Sequence, residues 1–372
     1  MAKKVGIILD HPDLERGKGA GIGRYATLMV DGLSEHQGEV QVKALRRQGS
    51  ASARFDAPEI NPQRISALSK VVSFWYLGLP FGLRGEDLDI VHNPFQMPTY
   101  FRFEQKYVFT VHDLIPFLFP EVHTARTVLT QRPLTGRTLA TADKVLTVSE
   151  NTKRDLLRLF KIPEEKVQVV HTAVHQAFQP VPRERVEEAL ARLGIGNLYF
   201  LFVGTLEPRK NVTGILKALY QVRKSIPQAQ LVMVGKKGWG YEGIFEAIDS
   251  LGLGSAVKYL GHMTEADLVS IYNGAVALVY PSIYEGFGLP PAEAMACGTP
   301  AIASNTSSLP EVVGDAGIQV DPNSIEQIAA AMLRLATEDG FRTELSRAGR
   351  ERVKMFSVER LGDALAAVYA KL

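Results

Sequence analysis

The segment PSIYEGFGLPPAEAMACGTP, residues 281–300, contains a change from strand to helix on which the fold prediction rests. A buried strand, Ala277–Ser282, leads into a glycine-rich turn, and the prolines after it suit the first turn of a helix. Glu285 lies in the turn and Glu293 on the predicted helix. Backbone N–H groups around Phe287–Leu289 can meet an anion at a helix N-terminus, and the two carboxylates can accept hydrogen bonds from sugar hydroxyls. The segment therefore predicts a ligand-binding strand–turn–helix unit.

The same alternation of strand, loop and helix runs along the whole chain. Short apolar runs rich in Val and Ile, separated by helical stretches, predict an α/β fold with parallel sheets covered by helices on both faces. The predicted strands are Lys4–Asp10, Ile90–His92, Tyr107–Asp113, Val145–Ser149, Val167–Ala173, Leu198–Thr205, Leu231–Gly235, Val257–Gly261, Ala277–Ser282, Pro300–Asn305 and Gly317–Asp321.

The strands form two series, which predicts two Rossmann-like domains, residues 1–180 and 181–357. The boundary is expected within Ala177–Gly196, where Pro180 and Pro182 precede a charged helical stretch. A single eight-stranded barrel is the alternative. The motifs lie in two clusters about a hundred residues or more apart, and a cleft between two domains would bring such clusters together.

Composition excludes several classes of protein. The 372 residues are 46% hydrophobic and 22% charged, as in an ordinary globular protein. The single cysteine, Cys297, excludes an intramolecular disulfide and a cysteine-rich metal site, and a buried small residue is expected there. A net charge of +2 does not indicate a nucleic-acid partner. No apolar run approaches the ~20 residues that span a bilayer, so we expect a cytoplasmic protein, with peripheral contact at the inner membrane surface left open.

Two further motifs lie at predicted strand ends. GAGIGRY, residues 19–25, opens a helix, but its spacing is not the GxGxxG fingerprint, so both a ligand loop and a plain turn stay open. GTLEPRKN, residues 204–211, contains the adjacent cations Arg209 and Lys210 before a helix that Asn211 is expected to cap. Two cations at this position predict a compact anion site, with a solvated pair as the alternative.

The run EGFGLPPAE, residues 285–293, resembles the E-x7-E motif of retaining GT-B glycosyltransferases of family 4. The resemblance covers nearly the whole chain in order and is strongest to the mannosyltransferase-like bacterial branch that builds surface polysaccharides. It implies the GT-B fold, two Rossmann-like domains facing across a cleft, with a final helix, 358–372, crossing back to the first domain. The other motifs that carry it are GAGIGRY, VHDLIP, VSENTKRDLL, FVGTLEPRKN, LVMVGKKGW, YLGHMTEADLVSIYNGA and SLPEVVGDAG.

The resemblance also implies a role for each motif residue in the second domain. Glu293 would bind the ribose of a nucleotide sugar, and Glu285 would lie against the donor sugar. Arg209 and Lys210 would clamp the diphosphate beside Gly204. Backbone N–H groups of the turn would bind the sugar and the distal phosphate; they belong to Phe287, Gly288 and Leu289.

In the first domain, the resemblance implies that His112 approaches the reacting carbon and that Asp113 orients it as part of the substrate-binding site. A loop would close over the diphosphate, formed by Gly21, Ile22 and Gly23. The acceptor, a glycan or lipid-linked glycan, would bind around 92–97 and 117–130. Considered alone, His112 is more typical of core packing than of catalysis, and the family context reverses that interpretation.

The expected reaction is hexosyl transfer with retention, needing no metal and no cofactor beyond the nucleotide-sugar substrate. The donor is expected to be GDP-mannose, with a UDP-sugar as the alternative. Asp87-Leu88-Asp89 has the spelling of a metal motif but is predicted to be a loop. Glu285→Gln is expected to lower turnover and leave diphosphate binding nearly unchanged, whereas Glu293→Gln is expected to weaken that binding.

Three other functions are alternatives to sugar transfer. A GT-B-fold sugar-nucleotide epimerase would turn over the donor without an acceptor. A nucleotide-sugar-binding regulatory subunit would bind the donor without transfer, but the complete set of motif residues argues against an inactive site. A dinucleotide dehydrogenase is disfavoured because the GxGxxG turn and its downstream ribose acid are missing.

Overall fold

The chain forms two compact units, each built on a parallel α/β sheet. The computed structural model describes residues 2–9, 14, 21–45, 59–60, 83–99, 102–120 and 125–372. One unit consists of Met1–Ala173 with Val358–Leu372, and the other of Val174–Ser357. The division falls between residues 173 and 174, ahead of the segment in which the sequence predicts it, and the last helix belongs to the first unit.

Thirteen strands are described. They are β1 Lys3–Ile8, β2 Val40–Leu45, β3 Glu59–Ile60, β4 Ile90–Asn93, β5 Lys106–Val111, β6 Lys144–Thr147, β7 Val167–Val169, β8 Tyr199–Val203, β9 Gln230–Val234, β10 Val257–Gly261, β11 Ala277–Tyr280, β12 Ala301–Ser304 and β13 Ile318–Val320. All eleven predicted strands are present, and β2 and β3 were missed. Gln41 and Lys43 interrupt the apolar run of β2, since this strand is only partly buried.

From β5 onwards helices alternate with the strands as predicted, whereas no helix is described between β4 and β5. The described helices are α1 Ile22–Leu33, α2 Ile115–Leu118, α3 Ala125–Thr141, α4 Glu150–Leu159, α5 Arg183–Leu193, α6 Val212–Val222, α7 Glu242–Ser250, α8 Glu265–Gly274, α9 Leu289–Ala296, α10 Leu309–Val313, α11 Ile325–Thr337, α12 Asp339–Val353 and α13 Val358–Ala370. In the part of the chain described, no helix is long and apolar enough to cross a membrane.

Both sheets have the strand order of doubly wound folds. The first is β3-β2-β1-β4-β5-β6-β7 and the second β10-β9-β8-β11-β12-β13, and neighbouring strands are parallel throughout both sheets. In each sheet the strand order reverses next to the first strand of the unit, β1 or β8: later strands are added on its other side. Ligands of such sheets bind at the carboxyl ends of the strands at this switch point. The motif loops after β1, β5, β8 and β11 begin at those ends.

A buried histidine connects the last helix to the first sheet. His92 in β4 is fully buried, and its Nδ1 lies 2.6 Å from the hydroxyl of Tyr369 in α13. Its Nε2 lies 2.8 Å from Oγ1 of Thr110 in β5. Burial, with a smaller effect of the nearby His112, lowers the pKa of His92 to about 3. The imidazole is therefore neutral in the folded protein at physiological pH, and it cannot serve as an exposed contact for an acceptor.

His92 should make the first unit sensitive to acid. Its pKa is depressed in the folded state, so the unfolded chain takes up the proton first, and stability is lost as pH falls from about 6.5 towards 3. Between about pH 7.5 and pH 5 this one group should lower the free energy of unfolding by about 2 kcal/mol. Urea unfolding at both pH values measures the difference. His92→Gln should reduce this pH dependence, and an unchanged slope in that variant would contradict the assignment.

Candidate active site

The cationic pair of the second unit lies on a one-turn 3-10 helix, Pro208–Lys210, after β8. Gly204, which follows β8, donates its N–H to the carbonyl of Val234 at 2.9 Å. A Cβ built on Gly235 would lie 1.9 Å from the Gly204 carbonyl oxygen, so only glycine permits this approach. The loops after β8 and β9 therefore start side by side.

Lys210 reaches the carboxylate of Glu285, which lies in the loop after β11. Its Nζ donates to Oε1 of Glu285 at 2.5 Å and to the Tyr280 hydroxyl at 2.7 Å. The Tyr280 hydroxyl donates to the same Oε1 at 3.2 Å, and Nη1 of Arg209 lies 3.1 Å from it. None of these three donors uses Oε2. The structure thus brings Glu285 to the adjacent cations Arg209 and Lys210, from which it is remote in the sequence.

The guanidinium of Arg209 has two further partners. Nη1 donates to the carbonyl of Tyr284, and Nη2 pairs with the carboxylate of Glu207. The side chains of Arg209 and Lys210 are each 10% exposed. Two buried cations are therefore matched by two carboxylates, which is the arrangement that permits charges to be buried at all.

Burial and the neighbouring opposite charges shift the pKa values of these groups in opposite directions. Burial by itself would raise the pKa of Glu285, but Lys210 and Arg209 outweigh it and hold that pKa below its ordinary value. Burial also dominates at Lys210, whose pKa is lowered although Glu285 opposes the shift. Burial would lower the pKa of Arg209, yet Glu285 and Glu207 raise it. Glu285 therefore stays ionised at physiological pH, facing a cationic pair.

Two serines fix the backbone of the turn between Glu285 and α9 by hydrogen bonds. Ser307 accepts a hydrogen bond from the Glu285 N–H at 2.9 Å and donates to the Glu285 carbonyl at 2.6 Å. Ser308 donates to the carbonyls of Glu285 at 3.0 Å and Phe287 at 2.6 Å. Gly288 precedes the helix with φ +109°, and a Cβ there would lie 2.5 Å from Cδ2 of Leu309.

Two prolines limit the donors at the N-terminus of α9. Leu289 begins the helix, and Pro290 and Pro291, which follow, carry no N–H. The first turn of a helix has N–H groups without intrahelical partners, and here the N–H groups of Gly288 and Leu289 are those that can face an anion. Both residues belong to the Phe287–Leu289 segment that is predicted to bind the distal phosphate.

Glu293 lies on α9 and is 4% exposed. The buried hydroxyl of Tyr272 donates to its Oε2 at 3.0 Å. Burial, with Glu293 next, raises the pKa of Tyr272 well above its ordinary value. Burial followed by Glu293 also raises the pKa of the Cys297 thiol, as expected for an inert buried cysteine.

In the first unit, His112 follows β5 and packs against the start of α1. Its ring meets the ring of Tyr25 edge to face, with centroids 4.8 Å apart. Tyr25 lies one turn into α1, its N–H donating to the Gly21 carbonyl at 3.1 Å. The structure therefore brings the Gly21–Gly23 turn and His112 together, whereas residues 19 and 20 of this motif lie outside the described residues.

Three further sequence predictions concern Asn211, Asp113 and Asp87. Asn211 occupies the N-cap position of α6, but the capping prediction is wrong: its side chain makes no capping hydrogen bond and donates to the Pro322 carbonyl at 2.6 Å. The carboxylate of Asp113 accepts from the Ile115 N–H at 3.0 Å, at the start of α2. Asp87 lies in the loop before β4, as predicted, and pairs with Lys4.

Sequence reasoning missed three residues of the site. Tyr280 ends β11 and was assigned to the core, Glu207 was passed over beside the cationic pair, and Gln96 was assigned only to an acceptor loop. A polar side chain at the carboxyl end of a buried parallel strand is the signal that could have identified Tyr280. Within the described ranges, no group of three or more His, Cys, Asp or Glu side chains could hold a metal.

Both units match known sequence families. Residues 19–178 match the family described as Glycosyltransferase Family 4, and residues 187–352 match the one described as Glycosyl transferases group 1. O-antigen chain mannosyltransferase B of Escherichia coli is 35% identical over 274 residues, 73% of this chain and 71% of that protein. Serotype-specific mannosyltransferase WbdA of Escherichia coli is 30% identical over 248 residues, 64% of this chain but only 30% of WbdA.

Solved structures match over essentially the full length. Sucrose-phosphate synthase from Thermosynechococcus elongatus has a TM-score of 0.77 at 21% identity, covering 99% of this chain and 98% of that one. HepE from Anabaena, solved with UDP-glucose, has a TM-score of 0.74 at 19% identity, covering 99% and 100%. WaaG, a glycosyltransferase involved in lipopolysaccharide biosynthesis, has a TM-score of 0.74 at 17% identity, covering 98% and 99%. At these identities the likeness shows the fold alone, and that fold is the predicted GT-B fold.

Proposed function

The chain belongs to the glycosyltransferases of family 4, group 1, and from that premise we propose that it transfers mannose from GDP-mannose to a glycan hydroxyl with retention of configuration. The acceptor is a glycan or lipid-linked glycan in the synthesis of a surface polysaccharide. The similarity to O-antigen mannosyltransferases supports mannose as the sugar. A UDP-sugar is the alternative donor, because HepE, of the same fold, was solved with UDP-glucose.

The observation that carries the proposal is the buried cluster of Lys210, Arg209 and Glu285 at the ends of β8 and β11. A nucleotide sugar combines a dianionic diphosphate with a ring of hydroxyls, and the cluster offers a partner for each. Lys210 and Arg209 attract the diphosphate oxygens, aided by the N–H groups of Gly288 and Leu289. Oε2 of Glu285 accepts hydrogen bonds from the sugar hydroxyls.

The chemical difficulty of the reaction is the departure of the diphosphate. As the bond from the anomeric carbon to the phosphate oxygen breaks, negative charge grows on that oxygen, and Lys210 stabilises it. The acceptor oxygen attacks from the same face, and its proton passes to the departing phosphate oxygen. The ionised Glu285 stabilises the positive charge that develops on the sugar. We assign the binding of the ribose to Glu293 and a role on the donor sugar to His112.

A donor screen tests the proposal, with a chelator as its second arm. The full chain is mixed with GDP-mannose, GDP-glucose, UDP-glucose or UDP-galactose and a mannose-terminated oligosaccharide, and products are followed by mass spectrometry. We expect thermal stabilisation and product with GDP-mannose, because bound ligand stabilises the folded state. NMR coupling constants of the product should report the anomeric configuration of the donor.

Excess EDTA should leave the rate within about twofold, since Lys210 and Arg209 supply the charge that a metal otherwise provides. Loss of activity in EDTA with recovery on adding magnesium or manganese would contradict metal independence. Product from a UDP-sugar alone would overturn the proposed donor. An inverted product would overturn the proposed stereochemistry.

A further inference from the structure

Gln96 adopts a backbone conformation that its residue type disfavours. It follows β4 with φ +54°, one of three residues other than glycine with positive φ in the described part of the chain. A glutamine side chain gains nothing locally from this conformation, because left-handed backbone is costly for a residue with a Cβ. Such strain persists only where surrounding contacts impose it, and it concentrates at functional sites.

The hydrogen bonds of the Gln96 side chain go to two residues, His112 and Asp113. Oε1 of Gln96 accepts hydrogen bonds from the backbone N–H of His112 at 2.6 Å and of Asp113 at 3.2 Å. Nε2 of Gln96 donates to the Asp113 carbonyl at 2.8 Å. One side chain therefore holds three backbone groups immediately after β5.

The same turn also holds the imidazole. Nε2 of His112 lies 2.6 Å from the carbonyl oxygen of Pro94. A carbonyl only accepts hydrogen bonds, so Nε2 carries a proton and the lone pair of the neutral ring lies on Nδ1. Asn93 closes the turn, since its Nδ2 donates to the Met97 carbonyl at 2.7 Å and its Oδ1 accepts from the Phe95 N–H at 3.1 Å.

We propose that Gln96 is a positioning residue for His112, holding its backbone so that the imidazole keeps Nε2–H on the Pro94 carbonyl and stays in a single orientation and tautomer. The expected effect of Gln96 on the rate of sugar transfer rests on the proposed function of His112. Its effect on the orientation and tautomer of the His112 ring does not. Gln96 keeps the backbone of His112 within reach of Pro94, and without that clamp the ring gains other orientations and the second tautomer.

The experiment compares Gln96→Gly and Gln96→Ala in the full chain labelled with ¹⁵N-histidine. Nitrogen chemical shifts distinguish the tautomers, and His112→Asn identifies the His112 signals. We expect wild type to show Nε2–H alone and both Gln96 variants to show a mixture. Because misplacement of a reacting group lowers turnover, kcat should fall about tenfold in both, with the donor KM changed by less than about twofold. Glycine adopts positive φ without strain, so Gln96→Gly should unfold at higher denaturant concentration than Gln96→Ala.

Gln105→Ala is the matched control. Gln105 precedes β5 at the end remote from His112, and its side chain donates to the Leu83 carbonyl at 2.9 Å. This control should keep the wild-type tautomer and kcat. A wild-type His112 spectrum in Gln96→Gly would overturn the positioning role, and so would a kcat that follows stability across the two Gln96 variants. A tautomer mixture with unchanged kcat would support the positioning role and overturn the proposed role of His112.

Discussion

Glu285→Gln is expected to lower kcat for transfer about 10²-fold, close to 2.7 kcal/mol of transition-state stabilisation, while tightening the binding of the free nucleoside diphosphate. The substitution keeps shape and removes charge. In the proposed site, the ionised carboxylate faces a sugar that becomes positive only in the transition state, so its loss should affect kcat more than donor KM.

The expected change in diphosphate binding differs from the one that the sequence predicts. Sequence reasoning expects no change, but the carboxylate lies 2.5 Å from Lys210 and 3.1 Å from Arg209, where it competes with a diphosphate for both cations. Neutralising it should strengthen diphosphate binding by about fivefold, or ~1 kcal/mol. Calorimetry with the diphosphate measures this.

Glu293→Gln is the matched control, the same substitution in a second buried carboxylate. It should weaken diphosphate binding and raise donor KM more than it lowers kcat, because ribose contacts are equal in ground and transition states. Weaker diphosphate binding in Glu285→Gln together with unchanged binding in Glu293→Gln would reverse the two assignments.

Lys210→Met should have the largest effect on this enzyme. It removes the cation that meets the leaving diphosphate, and losing such a preorganised charge is expected to cost about 10³-fold in kcat, or ~4 kcal/mol. It also leaves Glu285 buried with Arg209 as its remaining cation. Breaking a buried pair from one side costs about 3 kcal/mol of unfolding free energy. Steady-state kinetics and urea unfolding measure the two losses.

The double variant Lys210→Met/Glu285→Gln separates stability from catalysis. With the unpaired charge removed, stability should return to within about 1 kcal/mol of wild type, because buried pairs and neutral replacements are often equivalent. Transfer should not recover, since the leaving group has lost its cation. Recovery of activity along with stability would show that Lys210 acts on the fold alone.

The architecture was predictable from local sequence patterns. The eleven apolar runs that the sequence predicts as strands are strands, because a parallel strand covered on both faces needs unbroken apolar residues and leaves that pattern in the chain. It missed β2, where Gln41 and Lys43 interrupt the run. The residue type of Asn211 also predicts that its side chain caps a helix. In the structure that side chain donates a hydrogen bond to the carbonyl of Pro322, which is remote in sequence.

The interactions among the charged residues follow only from the three-dimensional arrangement of the chain. Residue type and local order predict that Arg209, Lys210 and Glu285 belong to the site. That Glu285 restrains both cations, that Tyr280 connects them, and that Gln96 holds His112 depend on distances between segments far apart in the chain. Local sequence patterns reflect burial and backbone preference, which depend on residue type. Charge pairing and hydrogen bonding across strand ends arise only when the sheet brings those ends together.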